Sequence, residues 1–271
     1  MSPTATGDEI GRGAAACVVS CRMVDRVTEL LDFDLALVDS IAGGRPASSL
    51  EEVAVCLPDL KGTAGSIRFV GFDEAGRGAL AGPVAVACVH LDLPSGRGSS
   101  ELDREAIVSV LAGLDDSKRL TPRRRGALYE AIVSVADWGI GCASASEIDR
   151  WGIVRACRIA ARRAYAKMPV TPDLKLFDRG LSLAGEGTAV GPAEIQITHG
   201  DARSLHVSAA SIVAKVGRDA IMEKLDPRFP GYGLSRHKGY GTATHRDAIR
   251  RLGPSIVHRR SFCARIESAE S

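Results

Sequence analysis

The stretch from Ile67 to Leu93, IRFVGFDEAGRGALAGPVAVACVHLDL, sets two short apolar runs on either side of a glycine-rich turn. Runs of this length bounded by glycine read as strands, and the turn joins them. A glycine loop after a strand can instead open a helix whose N-terminus holds a dinucleotide pyrophosphate. Here Pro83 and the β-like VAVACV follow, and Asp73 and Glu74 stand directly against the turn. Two carboxylates would repel a pyrophosphate, so the dinucleotide reading fails twice. A divalent cation reconciles acids with a loop suited to phosphate. Carboxylates bind the cation, the cation binds phosphate, and glycine lets the backbone come close. That predicts phosphodiester chemistry and further acids arriving from distant segments.

Two acids qualify. Asp178 ends the strand-like DLKLFD, and Asp201 follows AEIQITHG. Each closes an apolar run, where a sheet presents ligands. None of the six histidines has metal-ligand spacing, and hard oxygen ligands suit Mg²⁺ better. The seven cysteines form no CxxC pair, which argues against zinc and a disulfide framework and for reduced thiols. A net charge of +2 decides nothing about nucleic acid by itself. No apolar run reaches the length of a membrane span and no secretory signal is visible, so a cytoplasmic protein without membrane contact is expected.

With 271 residues the chain suits one catalytic domain with an extension, or two small domains. Residues 1–20 read as loose, 23–38 as an amphipathic helix, and 50–57 as a short helix or strand. After the strand pair, helices are predicted at 101–114 and 121–136, the second capped by Thr121 with Pro122 at its first position. A strand follows at 137–145, then a long helix opened by Ser146, strands at 173–178 and 193–200, and a helix over 202–225. A basic C-terminal part closes the chain. Strands mixed with helices favour an α/β domain with a mixed sheet.

Several long segments resemble the bacterial type 2 ribonucleases H, the ribonuclease HII family. They are GFDEAGRGALAGPVAVACV, LDDSKRLTPRRRGALYEAI, ASEIDRWGI, GDARSLHVSAASIVAKVGRD and FPGYGLSRHKGYGTATHRDAIRRLGPSIVHRRSF, in the family's order across 66–263. The resemblance implies an RNase H-like fold, a central mixed five-stranded sheet flanked by helices with a helical C-terminal part. It divides the chain into an extension (1–65, partly helical or disordered), a catalytic domain (66–265) and a tail (266–271). It implies an endonuclease that cleaves the RNA strand of RNA–DNA hybrids and incises 5′ to single ribonucleotides in duplex DNA, leaving a 3′-hydroxyl and a 5′-phosphate; a monomer is the default expectation. A module that binds hybrids without cutting them is the alternative, against which the intact acid set speaks.

Asp73, Glu74, Asp178 and Asp201 match the family's metal-binding acids, for Mg²⁺ or Mn²⁺. Paired ions beside the scissile phosphate would activate water and stabilise the leaving oxygen. Asp73 and Glu74 are adjacent and would face opposite ways on a regular strand, so the strand is expected to end or bulge there. Gly76, Arg77 and Gly78 match a ribonucleotide-sensing motif, in which backbone groups approach the 2′-hydroxyl. Tyr240 matches a tyrosine lying against the sugar at the RNA–DNA junction. Ser117, Lys118, Arg203 and Ser204 are expected at phosphates or in support of the acids, and Lys238 at substrate. Arg236, His237, His258, Arg259 and Arg260 extend the basic set as candidate groove contacts. Asp115, Asp116 and Asp219 are read as capping or salt-bridging acids. Arg179 stands where the family has glycine, Ala79 where proline is common, and Arg203 where lysine is usual; a longer loop follows Asp178. Arg77 and the short extension favour this family over its sister, ribonuclease HIII.

Overall fold

The structure, a computed structural model, describes residues 8–42, 53–55, 67–93, 101–184 and 194–267. The loop expected at 94–100, most of the loop after Asp178, and the last residues of the tail lie outside the described residues. The strands are β1 (Val53–Val55), β2 (Phe69–Ala75), β3 (Val84–His90), β4 (Asp137–Ala143), β5 (Leu174–Asp178) and β6 (Glu194–Ile197). They form one sheet in the order β1-β6-β5-β2-β3-β4. The glycine turn makes β2 and β3 antiparallel neighbours, β4 extends that pairing, and β5 and β6 join β2 in parallel. These five make the expected mixed sheet; the extension adds β1 antiparallel at its edge.

The helices are α1 (Asp8–Ala42), α2 (Glu101–Val110), α3 (Pro122–Val135), α4 (Ala145–Tyr165), α5 (Leu205–Leu225), α6 (Leu234–His237), α7 (Ala243–Leu252) and α8 (Arg260–Glu267). Alternation along the strands divides the core. Val70, Phe72, Val86 and Phe177 pack on the small residues Ala156, Ala160 and Ala164 of α4. On the other face Ala75, Ala87 and Val89 meet Leu205, Ala209 and Val213 of α5, with Val27, Leu30 and Leu31 of α1 beside them. The predicted helix 23–38 is thus part of a longer one that takes in 8–20, read above as loose; its alanine-rich sequence favours helix. Thr121 caps α3 as predicted, its hydroxyl accepting from Arg124 N–H. The cap of α4 is Ser144 rather than Ser146, because Glu147 stands three residues after Ser144 and completes a reciprocal capping box. The buried thiols of Cys88 and Cys157 are pushed up to about 12 by desolvation, which makes them packing groups.

The C-terminal helices form a small second cluster, Met222, Tyr232, Leu234, Ile249 and Cys263, against Ala81 of the glycine turn. Beside it runs a histidine chain. His245 Nδ1 lies 3.0 Å from the Tyr240 carbonyl, which can only accept, so this nitrogen carries the proton. In the neutral ring His245 Nε2 then accepts from His258 Nε2–H at 3.1 Å. His258 Nδ1 in turn accepts from the Ser255 N–H and hydroxyl. An added proton would set donor against donor. Burial first, then neighbouring histidine charge, pushes both rings down to about 4. A depressed histidine stabilises the fold above its unfolded value near 6.5, and that stability is lost as pH falls toward 4. Thermal denaturation at pH 7 and pH 5 is expected to differ by roughly 5 °C from this pair alone. His258→Gln should flatten the slope, and an unchanged slope would show that the rings do not titrate in this way.

Candidate active site

Parallel pairing brings the acids to one edge of the sheet. Phe72 of β2 stands opposite Phe177 of β5, so Asp73 and Asp178 follow on the next rung. β6 lies beside β5 with Ile197 opposite Asp178, and a 3-10 turn, Gly200–Ala202, carries Asp201 just beyond it. These are the carboxyl ends of parallel strands, where α/β sheets gather ligands. The bulge envisaged at Asp73–Glu74 does not form. Pairing continues through Asp73 opposite Ala87 and Glu74 opposite Val86, and the strand ends at Ala75. Asp73 turns toward α5, where Ser211 donates to it, and Glu74 toward Arg77. Both still feel the charge of Asp178.

The electrostatics follow from that crowding. Burial holds the Asp73 carboxyl well above the usual carboxylate range; Glu74, Asp178 and Asp201 push the same way and the Ser211 hydrogen bond opposes. Glu74 is raised by burial, against the pull of Arg77, whose Nη1 lies 3.2 Å from its Oε1. Asp178 is raised by burial and by Asp201, against a 2.8 Å hydrogen bond from Gly200 N–H. Lys118 Nζ donates to Asp201 Oδ2 at 3.0 Å; burial opposes the lysine's charge, but this contact leaves its pKa raised. Among the described residues no three His, Cys, Asp or Glu side chains stand at ligand spacing as they are. Repelling carboxylates spread and take up the donors within reach. The buried Glu74 Oε2 nevertheless has no hydrogen-bond partner. An orphaned carboxyl oxygen on Glu74, whose neighbours Asp73 and Asp178 are also raised, fits a hard divalent cation.

Next to the acids the glycine turn is braced from inside. Gly76 has φ +86°, and a Cβ there would lie 1.8 Å from Arg218 Nε. Arg259 donates to the carbonyls of Gly76 at 2.7 Å, Arg77 at 2.8 Å and Gly82 at 3.1 Å. Arg218 donates to those of Ala81, Pro83 and Lys238. The Gly239 carbonyl accepts from the N–H groups of Leu80 and Ala81, so the Tyr240 loop is fastened to the turn. The Tyr240 ring is partly exposed and lies 5.3 Å from the Arg218 guanidinium carbon and 5.7 Å from Lys215 Nζ. Gly78 differs from Gly76: it is exposed, and nothing lies within 4 Å of where a Cβ would be.

The remaining candidates divide. Lys118, Arg236 and Arg260 are exposed as a duplex contact requires. Arg259 and His258 are buried, at 0% and 2% exposure, which corrects their reading as groove contacts. Ser117 is also buried. Its hydroxyl shares a 2.9 Å hydrogen bond with Ser211, which places it in support of Asp73 rather than against substrate. Ser204 is the N-cap of α5, accepting from Val207 N–H, and is fully buried. Arg203 lies over the Phe33 ring, and Lys238 pairs with Glu223 at 2.6 Å. Asp219 pairs with Lys215, while Asp115 and Asp116 accept from backbone N–H groups in their own loop. Sequence reasoning missed Ser211 and Arg218. Ser211 falls two helical turns after Ser204 on α5, a spacing that could have revealed it.

Comparison with known proteins gives concordant results. The family described as Ribonuclease HII matches residues 70–265. Ribonuclease HII of Parasynechococcus marenigrum (strain WH8102) is 47% identical over 199 residues, 72% of this chain and 81% of the relative. That of Moorella thermoacetica is 45% identical over 199 residues, 73% of this chain and 87% of the relative. Among solved structures, ribonuclease H2 from Pyrococcus horikoshii OT3 aligns with a TM-score of 0.55 at 26% identity, covering 74% of this chain and 97% of that one. Bst ribonuclease HIII in complex with Mn²⁺ shares the fold, with a TM-score of 0.54 at 20% identity over 76% of this chain and 71% of that one.

Proposed function

The chain belongs to the ribonuclease HII family, metal-dependent endonucleases that act on RNA–DNA hybrids, and from that premise we propose that it also incises 5′ to a single ribonucleotide embedded in duplex DNA. The observation that carries this reading is Gly78, exposed and unobstructed in a turn that begins just after Asp73 and Glu74. A 2′-hydroxyl is distinguished from hydrogen by backbone groups that come close to it, and a glycine permits that approach. Tyr240, fixed beside the same turn, offers a face to the adjoining sugar or base.

Asp73, Glu74, Asp178 and Asp201 would hold the divalent ions, Mg²⁺ or Mn²⁺, as a pair. When bound, such ions supply charge neutralisation at the phosphodiester and activation of water. The protein's own groups position the strand. Lys118 and Arg77 offer cationic donors next to the acids, and Arg236 and Arg260 offer charge for the flanking backbone. The products would carry a 3′-hydroxyl and a 5′-phosphate. The family match at 70–265 supports taking 66–265 as the catalytic unit, with 1–65 an extension and 266–271 a tail.

The test is a nicking assay on a duplex with one ribonucleotide, beside a long hybrid, with Mg²⁺ or Mn²⁺ titrated. Wild type should cut 5′ to the ribonucleotide. Binding without cleavage in either metal would leave only the non-catalytic module. Gly78→Ala should fold with wild-type Tm, since its Cβ meets open space, yet lose about 10-fold or more on the single ribonucleotide and less on the hybrid. Gly76→Ala is the contrasting variant: strain and the Arg218 collision should lower Tm and reduce both activities together. Equal losses on both substrates for Gly78→Ala would remove the sensing role.

A further inference from the structure

Helix α1 precedes the family match at 70–265, yet it grips the segment that carries Asp201. Arg26 donates to the Ala202 carbonyl, and its Nε lies 3.6 Å from Asp115 Oδ1. Seven and eight residues further on, on the same helix face, Phe33 and Asp34 reach the same segment. Phe33 lies under Arg203, and buried Asp34 accepts from His206 N–H at 3.1 Å and meets His206 Nδ1 at 2.7 Å. The contacts of Arg26 close a ring. Asp115 accepts from Asp116 N–H, Asp116 from Lys118 N–H, Lys118 donates to Asp201, and Ala202, next to Asp201, accepts from Arg26.

The turn at Asp201 needs such a hold. His199, just before it, has φ 55° and ψ 45°, a left-handed conformation that costs a side-chain-bearing residue energy unless its surroundings enforce it. The apolar residues of α1 explain why the helix docks. They do not explain why Arg26, which also pairs with Glu29 on its own helix, and Asp34 reach 202–206 and the Asp115 loop. We propose that Arg26 is a positioning residue, fixing Asp201 and Lys118 relative to one another so that the fourth carboxylate stands where a metal ion is held. The inference rests on the reading of Asp201 as a metal-holding residue.

The experiment compares full-length wild type, Arg26→Met, Arg26→Lys, Asp115→Asn and Asp201→Asn. Mn²⁺ affinity is measured by calorimetric titration well below each Tm, and kcat and KM are measured on a hybrid. Arg26→Met keeps the apolar stem and removes the donors. It should weaken Mn²⁺ binding about 10-fold and lower kcat about 10-fold, with KM for the duplex within about 2-fold. Arg26→Lys should recover much of both, and Asp115→Asn, at the other end of the linkage, should move both the same way as Arg26→Met. Should Arg26→Met not fold, Asp115→Asn decides by the same criterion. If Asp201→Asn leaves Mn²⁺ affinity unchanged, the reading of Asp201 fails, whatever Arg26 does. If Asp201→Asn weakens binding while Arg26→Met and Asp115→Asn bind Mn²⁺ and turn over like wild type, the positioning role alone is overturned, even where Tm has fallen.

Discussion

Asp73→Asn is expected to cut RNA-strand cleavage by about 10³-fold or more and, without metal, to raise Tm rather than lower it. The two effects share one cause. Asp73 is buried at the strand end beside Glu74, and also feels Asp178 and Asp201; burial and those charges all penalise its ionised form. A carboxylate whose pKa is raised by folding costs stability at neutral pH, where the unfolded chain ionises it freely. The amide keeps the shape and still accepts from Ser211 while removing the charge. Wild type should therefore gain Tm on adding Mn²⁺, since an ion that binds the folded state stabilises it, and the variant should gain much less. Parallel melts with and without Mn²⁺, beside the nicking assay, check this. A variant that cleaves normally, or that melts lower than wild type in the absence of metal, would show that Asp73 is not a strained metal-holding acid.

The acids were legible because each sits at the end of a local pattern. An apolar run closed by an aspartate marks a strand end, whatever its partners are: β5 ends on Asp178, while β6 ends at Ile197 and Asp201 stands in the turn just beyond it. The glycine turn between β2 and β3 was legible for a similar reason, since Pro83 and the β-branched residues after it argue against a helix. What failed to show was long-range pairing. The string HRRSF reads as a solvated basic face, and only contact with a turn some 180 residues earlier buries Arg259, while His258 is packed against His245 and Tyr232. No periodicity records that contact. The role of α1 was hidden in the same way. Its apolar spacing announced a helix, but Arg26 and Asp34 look like ordinary surface charges until Ala202 and His206 come against them. The Ser144 cap was missed through local competition, two serines two residues apart, which Glu147 decides.

The buried arginine yields the other large expected effect. Arg259→Met should lower Tm by roughly 10 °C and reduce cleavage of both substrates about 100-fold. Its guanidinium is held by three carbonyls, those of Gly76, Arg77 and Gly82, and desolvation brings its pKa down to about 10, so it stays charged at neutral pH. Methionine fills most of the volume but satisfies none of the carbonyls, and each one left buried and unpaired costs about 1 to 3 kcal/mol. The turn that loses them also holds Gly78 and, through Leu80 and Ala81, the Tyr240 loop, so the damage spreads from stability to substrate placement. Lysine keeps the charge but lacks the planar fork that reaches three acceptors, and Arg259→Lys should fall between the two. A groove-contact role makes a different forecast: unchanged Tm, unchanged kcat and a raised KM that worsens with salt. Melting curves and a KM series at two salt concentrations separate the cases. A wild-type Tm for Arg259→Met would return this residue to the surface role that its sequence neighbourhood suggests.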